Sequence, residues 1–172
     1  MEVAGELPAR LALCWGDAVF LSGRPFEQLR QGAEDWDKSV PALVACAEDE
    51  QPYAWFEADG VKILRARFRS EEVQPVARGM HDQSLFALAV APILRALDEC
   101  RHEMGLDQYD DSSYDKARGE MRLLGVLAHL YKTGRAAEIV KISAGQVLGF
   151  NTKIELSKIE NLLAITNEEI KK

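Results

Sequence analysis

Apolar and polar positions divide the chain into a strand-like first half and a helix-like second half. The longest apolar-rich run, Asp82 to Leu106 (DQSLFALAVAPILRALDECRHEMGL), sets Phe86, Val90, Ile93, Leu94, Leu97 and Cys100 at spacings of three and four. That spacing predicts one face of a helix. Pro92 gives two solutions. Inside a helix it removes a hydrogen bond and clashes one turn back, at about 3 kcal/mol or more. In a first turn it is tolerated. The favoured expectation is a helix kinked or broken at Pro92, from about Ser84 to Met104, closed by Gly105. The alternative is a helix that starts around Pro92. Arg95, Asp98, Glu99, Arg101, His102 and Glu103 make the polar face.

Two earlier stretches carry strand signals. In Leu11 to Leu21, LALCWGDAVFL, apolar runs flank Gly16-Asp17, which predicts a hairpin over about Ala9 to Leu21. Tyr53 to Arg69, YAWFEADGVKILRARFR, is the clearer hairpin, with Asp59-Gly60 as its tight turn. That turn sets Glu57 opposite Lys62, Trp55 opposite Leu64 and Tyr53 opposite Ala66. One face holds Tyr53, Trp55, Leu64 and Phe68. The other holds Phe56, Val61 and Ile63, then Arg65, Arg67 and Arg69. Together the hairpins predict a four-stranded antiparallel sheet.

Between them, Pro25 suits the first turn of a helix carrying Phe26, Leu29 and Ala33, which Gly32 frays or ends. Ala33 to Lys38 reads as loop. Val40 to Ala47 (VPALVACA) is too short for length to separate strand from helix; Ser39 as cap and Pro41 in the first turn favour a helix. Glu71 to His81 is a connector. After the central run, Asp107 to Asp115 forms an acidic loop. A helix capped by Ser112 or Ser113 then runs to Lys132, with Ala117, Met121, Leu124, Leu127, Ala128 and Tyr131 inward. Further helices are expected over Arg135–Leu148 and Glu155–Ile165. Thr166 to Glu169 has the capping-box pattern for a last turn.

Composition narrows the class. The 172 residues are 47% hydrophobic and 28% charged, which suits a globular core. A net charge of −7 disfavours bulk attraction to nucleic acid or anionic membrane. The apolar run is too short and interrupted to span a bilayer, which needs about 20 apolar residues. No secretory leader is expected, since Met1-Glu2-Val3 lacks a basic start and an apolar core. Cys14, Cys46 and Cys100 lack metal-ligand spacing, so reduced thiols in the cytoplasm are expected. Residues 1–80 and 81–172 read as hairpin and helical regions of one continuous domain. The Ile-, Lys- and Asn-rich 136–172 is a candidate appended segment.

Candidate chemistry is sparse. Glu99 and His102 have the Glu-x-x-His spacing that puts two metal ligands on one helix face, but a di-metal bundle needs two such motifs. A solvated face is the simpler reading. His81-Asp82 is a candidate acid–base pair, since an aspartate can orient an imidazole. Sequence neighbours point apart unless the backbone turns sharply, so a connector or helix cap is simpler. The aspartates of 107–115 do not match a calcium loop. Arg65, Arg67 and Arg69 form a basic stripe fit for phosphates, or a charged edge strand. The C-terminal helices are too short for a recognition helix-turn-helix. No phosphate-cradling glycine loop or nucleophile elbow occurs.

The expected fold is therefore α+β: a small antiparallel sheet from two N-terminal hairpins with a helical C-terminal half packed on it. The expected function is a non-enzymatic interaction or regulatory module, binding a protein partner or self-associating as a homodimer, without cofactor or membrane. Phe86, Val90, Leu97, Ile159 and Leu163 are its core or interface positions. The alternatives are nucleic-acid binding through Arg65, Arg67 and Arg69, and a small metal-dependent enzyme around Glu99 and His102.

Overall fold

The structure, a computed structural model, describes residues 8–34, 36–37, 39–69, 74, 76–103, 123–150 and 152–170, with side chains of the last helix described through 161 and at 163. Strands β1 (Arg10–Cys14) and β2 (Ala18–Phe20) precede helix α1 (Arg24–Glu34). Strands β3 (Ala42–Glu50), β4 (Ala54–Asp59), β5 (Lys62–Phe68) and β6 (Arg78–Ala89) follow. Helices α2 (Val90–Glu103) and α3 (Leu123–Lys132), strands β7 (Glu138–Lys141) and β8 (Val147–Gly149), and helix α4 (Lys153–Ile170) complete the order.

The expected sheet of two N-terminal hairpins is replaced by a mixed sheet of order β1-β6-β3-β7-β5-β4. A bridge between Phe56 and Met80 joins β4 to β6 and closes five strands into a ring. Strands β3 and β7 run parallel, with Leu43 to Cys46 beside Glu138 to Lys141. Strands β2 and β8 form a separate two-stranded piece. Both segments flanking Gly16-Asp17 are strands, as expected, but they do not pair: β1 lies on β6 and β2 on β8.

The largest correction concerns the central run. Its first part is strand β6, not helix. Phe86 and Leu88 enter one core while Leu85 enters the other. A strand covered on both faces is an unbroken apolar run, and such a run meets helical spacing as easily as strand spacing. Helix α2 begins only at Val90, with Pro92 in its first turn, where a missing N–H is harmless. The same cause turned Val40–Ala47 into a false helix: residues 42–47 are all buried within β3. The helix expected over Arg135–Leu148 is instead β7 and β8.

Other expectations need smaller changes. The Asp59-Gly60 signal does mark a hairpin, but Asp59 pairs with Lys62 and the turn is Gly60-Val61. A register shift after Glu57 then sets Glu57 opposite Arg65 and Trp55 opposite Arg67. Helix α1 carries Pro25 in its first turn as expected but runs past Gly32. A Cβ there would lie 2.8 Å from Val140 Cγ2, so the glycine lets α1 settle close on β7. Helix α4 continues through Thr166. The capping box sits at its true start: the Glu155 N–H donates to Thr152 Oγ1 (3.2 Å) and the Thr152 N–H to Glu155 Oε2 (3.0 Å). The acidic loop and the first part of the helix after it lie outside the described residues.

Two apolar clusters hold the fold. The first joins Val44, Phe56, Ile63 and Phe86 to Ile93 and Ala96 of α2 and to Val126, Leu127 and Leu130 of α3. The second joins Leu43, Ala45 and Leu85 to Leu29 of α1, Trp36 and Ile142. No helix among the described residues is long and apolar enough to cross a membrane.

Candidate functional site

Beyond the carboxyl ends of the paired stretches of β3 and β7 lies a cavity of about 540 Å³. Strand β3 contributes Ala47, Glu48 and Asp49, and the turn after β7 contributes Ala144 and Gly145. Val147, Leu148 and Gly149 of β8 form a second wall, with Glu155, Lys158 and Ile159 of α4 across from it. The remaining wall is His81, Asp82, Gln83 and Ser84 of β6.

Four successive residues of a regular strand cannot line one cavity, because side chains alternate between faces. A bulge makes it happen here. Val44 pairs with Phe86 but Cys46 pairs with Asp82, so one residue of β3 spans three of β6. Ser84 takes the left-handed conformation, φ 58°, which a non-glycine residue adopts rarely. Bonds on both sides hold it. Its N–H donates to Asp82 Oδ2 at 3.2 Å, and its carbonyl accepts the Trp15 N–H at 3.1 Å. Bulges of this kind re-aim side chains next to functional sites.

His81 and Asp82 meet in this bend. His81 Nδ1 lies 2.7 Å from the carbonyl oxygen of Ala54 and 3.6 Å from Asp82 Oδ1. The Asp82 side chain is 6% exposed and that of His81 25%. Asp82 also stands opposite Cys46, whose thiol is pushed up, first by burial and then by the Asp82 charge. A buried carboxylate beside a half-open imidazole can orient it. The sharp backbone turn that this pair required is the bulge. Its sequence signal is the polar Gln83-Ser84 step inside an otherwise apolar strand.

The other expected positions are dispersed. Arg65 is exposed, Arg67 Nε donates to Glu57 Oε1 at 2.8 Å, and Arg69 donates to the carbonyls of Pro52 and Val76, each at 3.0 Å. Arg67 and Arg69 thus brace the hairpin and its neighbouring segments, and Arg65 alone of the three is exposed. His102 is exposed, while Glu99 faces His129 across the α2–α3 contact, 3.4 Å from Nε2, and Glu103 lies 3.6 Å from Nδ1. Phe86 is fully buried, Leu97 packs on the same cluster, and Val90 and Leu163 are half-buried. Of the five apolar candidates, only Ile159 lines the cavity. Lys158, Glu48 and Asp49, on the surface in any pattern reading, carried no distinguishing signal.

No family model and no curated protein sequence matches the chain. Solved structures do. The inositol-1-phosphate CTP transferase of T. maritima is similar at TM-score 0.58 and 13% identity, over 92% of this chain and 56% of that one. A CMP:2-keto-3-deoxy-manno-octonic acid synthetase complexed with CTP is similar at TM-score 0.57 and 18% identity, over 94% and 63%. A nucleoside-diphosphate-sugar pyrophosphorylase of Vibrio cholerae RC9 is similar at TM-score 0.50 and 12% identity, over 72% and 48%. The chain thus spans about half to three-fifths of these proteins. At such identities the likeness is one of fold, and the fold is one that nucleotidyl-transfer enzymes carry. It corrects the expectation of a non-enzymatic interaction or regulatory module. The premise for that module, surplus apolar helix surface, fails as well, because much of that surface is strand β6 buried within the chain.

Proposed function

We propose that the cavity at His81–Ser84 binds a nucleoside triphosphate and that the chain takes part in transferring its nucleotidyl group. One observation carries this reading: in a fold shared with nucleotidyl-transfer enzymes, the cavity opens beyond the carboxyl ends of two parallel strands. Ligand sites lie beyond the carboxyl ends of parallel strands in open α/β sheets and in barrels alike. The volume of about 540 Å³ suits a nucleotide. Val147, Leu148 and Ile159 offer an apolar wall for a base, and the Gln83 amide can both donate and accept. Lys158 supplies a cation for phosphate oxygens.

Glu48, Asp49, Asp82 and Glu155 make the rest of the lining acidic. Among the described residues no three His, Cys, Asp or Glu side chains converge to hold a metal ion. Against that acidic lining, a nucleotide anion is expected to enter with its charge screened by a cation of its own. A cytoplasmic location is part of this reading, and the free thiols of Cys14, Cys46 and Cys100 suit a reducing compartment.

Calorimetric titration with the magnesium salts of CTP, UTP, ATP and GTP tests the proposal. At least one is expected to bind with a Kd below about 1 mM. Lys158→Glu should weaken that binding about tenfold or more, the worth of a charge-assisted hydrogen bond. Absence of binding by all four would contradict the proposal.

A further inference from the structure

We infer that the acceptor in this cavity attacks through a hydroxyl group, and that His81 is the base that takes its proton; the inference rests on the nucleotidyl-transfer reading above. The starting point is the Ala54 carbonyl. A carbonyl oxygen can only accept, so at 2.7 Å the Nδ1 of His81 must carry a hydrogen. In the neutral ring the lone pair is then on Nε2. Asp82 Oδ1 lies 3.6 Å from that same Nδ1. That carboxylate and the Ala54 carbonyl both face the Nδ1 edge and hold the ring in one orientation. The ring lines the cavity with its Nδ1 edge already engaged, so Nε2 is the nitrogen left for a ligand.

Such an imidazole selects among acceptors. A phosphate or carboxylate nucleophile is ionised at neutral pH and gains nothing from a base. A hydroxyl has a proton to lose. In the transfer, the hydroxyl oxygen bonds to the α-phosphorus. The bond from that phosphorus to the bridging oxygen breaks, and its electron pair leaves with pyrophosphate. The hydroxyl proton passes to Nε2 and from there to solvent. The charged groups that line the cavity with His81 are Asp82 on its own strand, Glu48 and Asp49 on β3, and Glu155 and Lys158 on α4. Strand β4 presents the Ala54 carbonyl. Negative groups outnumber the single lysine, an environment that disfavours an anionic nucleophile carrying no cation of its own.

The test supplies α-labelled CTP, UTP, ATP and GTP with magnesium to a panel of acceptors: myo-inositol, ribitol, glucose and the 1-phosphates of inositol and glucose. Phosphorus NMR reads the linkage formed. The expected product is a phosphodiester, made through a hydroxyl. His81→Asn keeps an N–H for the Ala54 carbonyl and lacks a base at the Nε2 position. It should lower kcat about 100-fold or more and leave nucleotide affinity within about twofold. A phosphoanhydride product would overturn the inference, as would an H81N protein that transfers at the normal rate. So would nucleotide binding without transfer to any hydroxyl on the panel. Loss of nucleotide binding by the unaltered protein is a separate result, which fails the parent reading and takes the inference with it.

Discussion

Two regions of this molecule assemble the same residue types and put them to different uses. At the β6 bulge, His81 stands beside Asp82 with Cys46 across the strand pair. At the α2–α3 contact, His129 stands between Glu99 and Glu103, with Cys100 alongside. The first histidine opens on a cavity and has one nitrogen committed to a carbonyl. The second is 7% exposed, and its Nε2 and Glu99 Oε2 are buried without a hydrogen-bond partner. The thiols are arranged the other way round. Cys46 is sealed, while Cys100 is half-buried, its thiol pushed up by burial and then by Glu103. Residue type alone therefore does not make a site. Solvent access and a committed hydrogen bond separate the imidazole that can exchange protons from the one that fills a helix contact.

Variants in the two regions should separate in kind as well as size. His129→Ala empties a buried position and leaves two acids facing it, so it should cost about 3 kcal/mol in urea denaturation, with nucleotide affinity unchanged. Asp82→Asn keeps an oxygen for the Ser84 N–H but removes the charge beside His81. Transfer should fall about 100-fold with little change in melting temperature. If the two variants exchanged phenotypes, the distinction drawn here would be wrong.

Cys46 gives a pH signature. Burial first, and Asp82 second, push its thiol well above the ordinary value of 9.0. A group with a raised folded pKa supports the fold fully below its unfolded value and loses that support as pH rises. Stability should thus decline above about pH 9, by up to about 1.4 kcal/mol per pH unit for one proton, and Cys46→Ala should flatten that decline. The smallest expected effect is His81→Ala on stability, about 1 kcal/mol for one lost hydrogen bond. A thermal shift as large as that of His129→Ala would mean that His81 is structural too.

How much of this could be read along the chain follows from the range of the interactions. Helix α1 was legible because Pro25 marks its start locally. The β4–β5 hairpin was legible because Asp59-Gly60 marks its turn, although the shift after Glu57 escaped. Strands β3 and β6 were misread because they are buried on both faces, and that depends on partners far along the chain. Strands β7 and β8 are short, and their pairing with β3 and β2 leaves no local trace. His81-Asp82 was visible as a pair. Its importance depends on a bulge whose only trace is Gln83-Ser84, and on an acceptor at Ala54 that lies 27 residues away.

The measurement that bears most directly on the central claim is an NMR titration of isotope-labelled protein with the magnesium nucleotides, following backbone amides and histidine ring nitrogens together. The account predicts a His81 ring with its hydrogen on Nδ1, and shifts confined to Ala47–Asp49, His81–Ser84, Ala144–Gly149 and Glu155–Ile159. Shifts centred on His129 and the α2–α3 contact, with the bulge cavity silent, would contradict it.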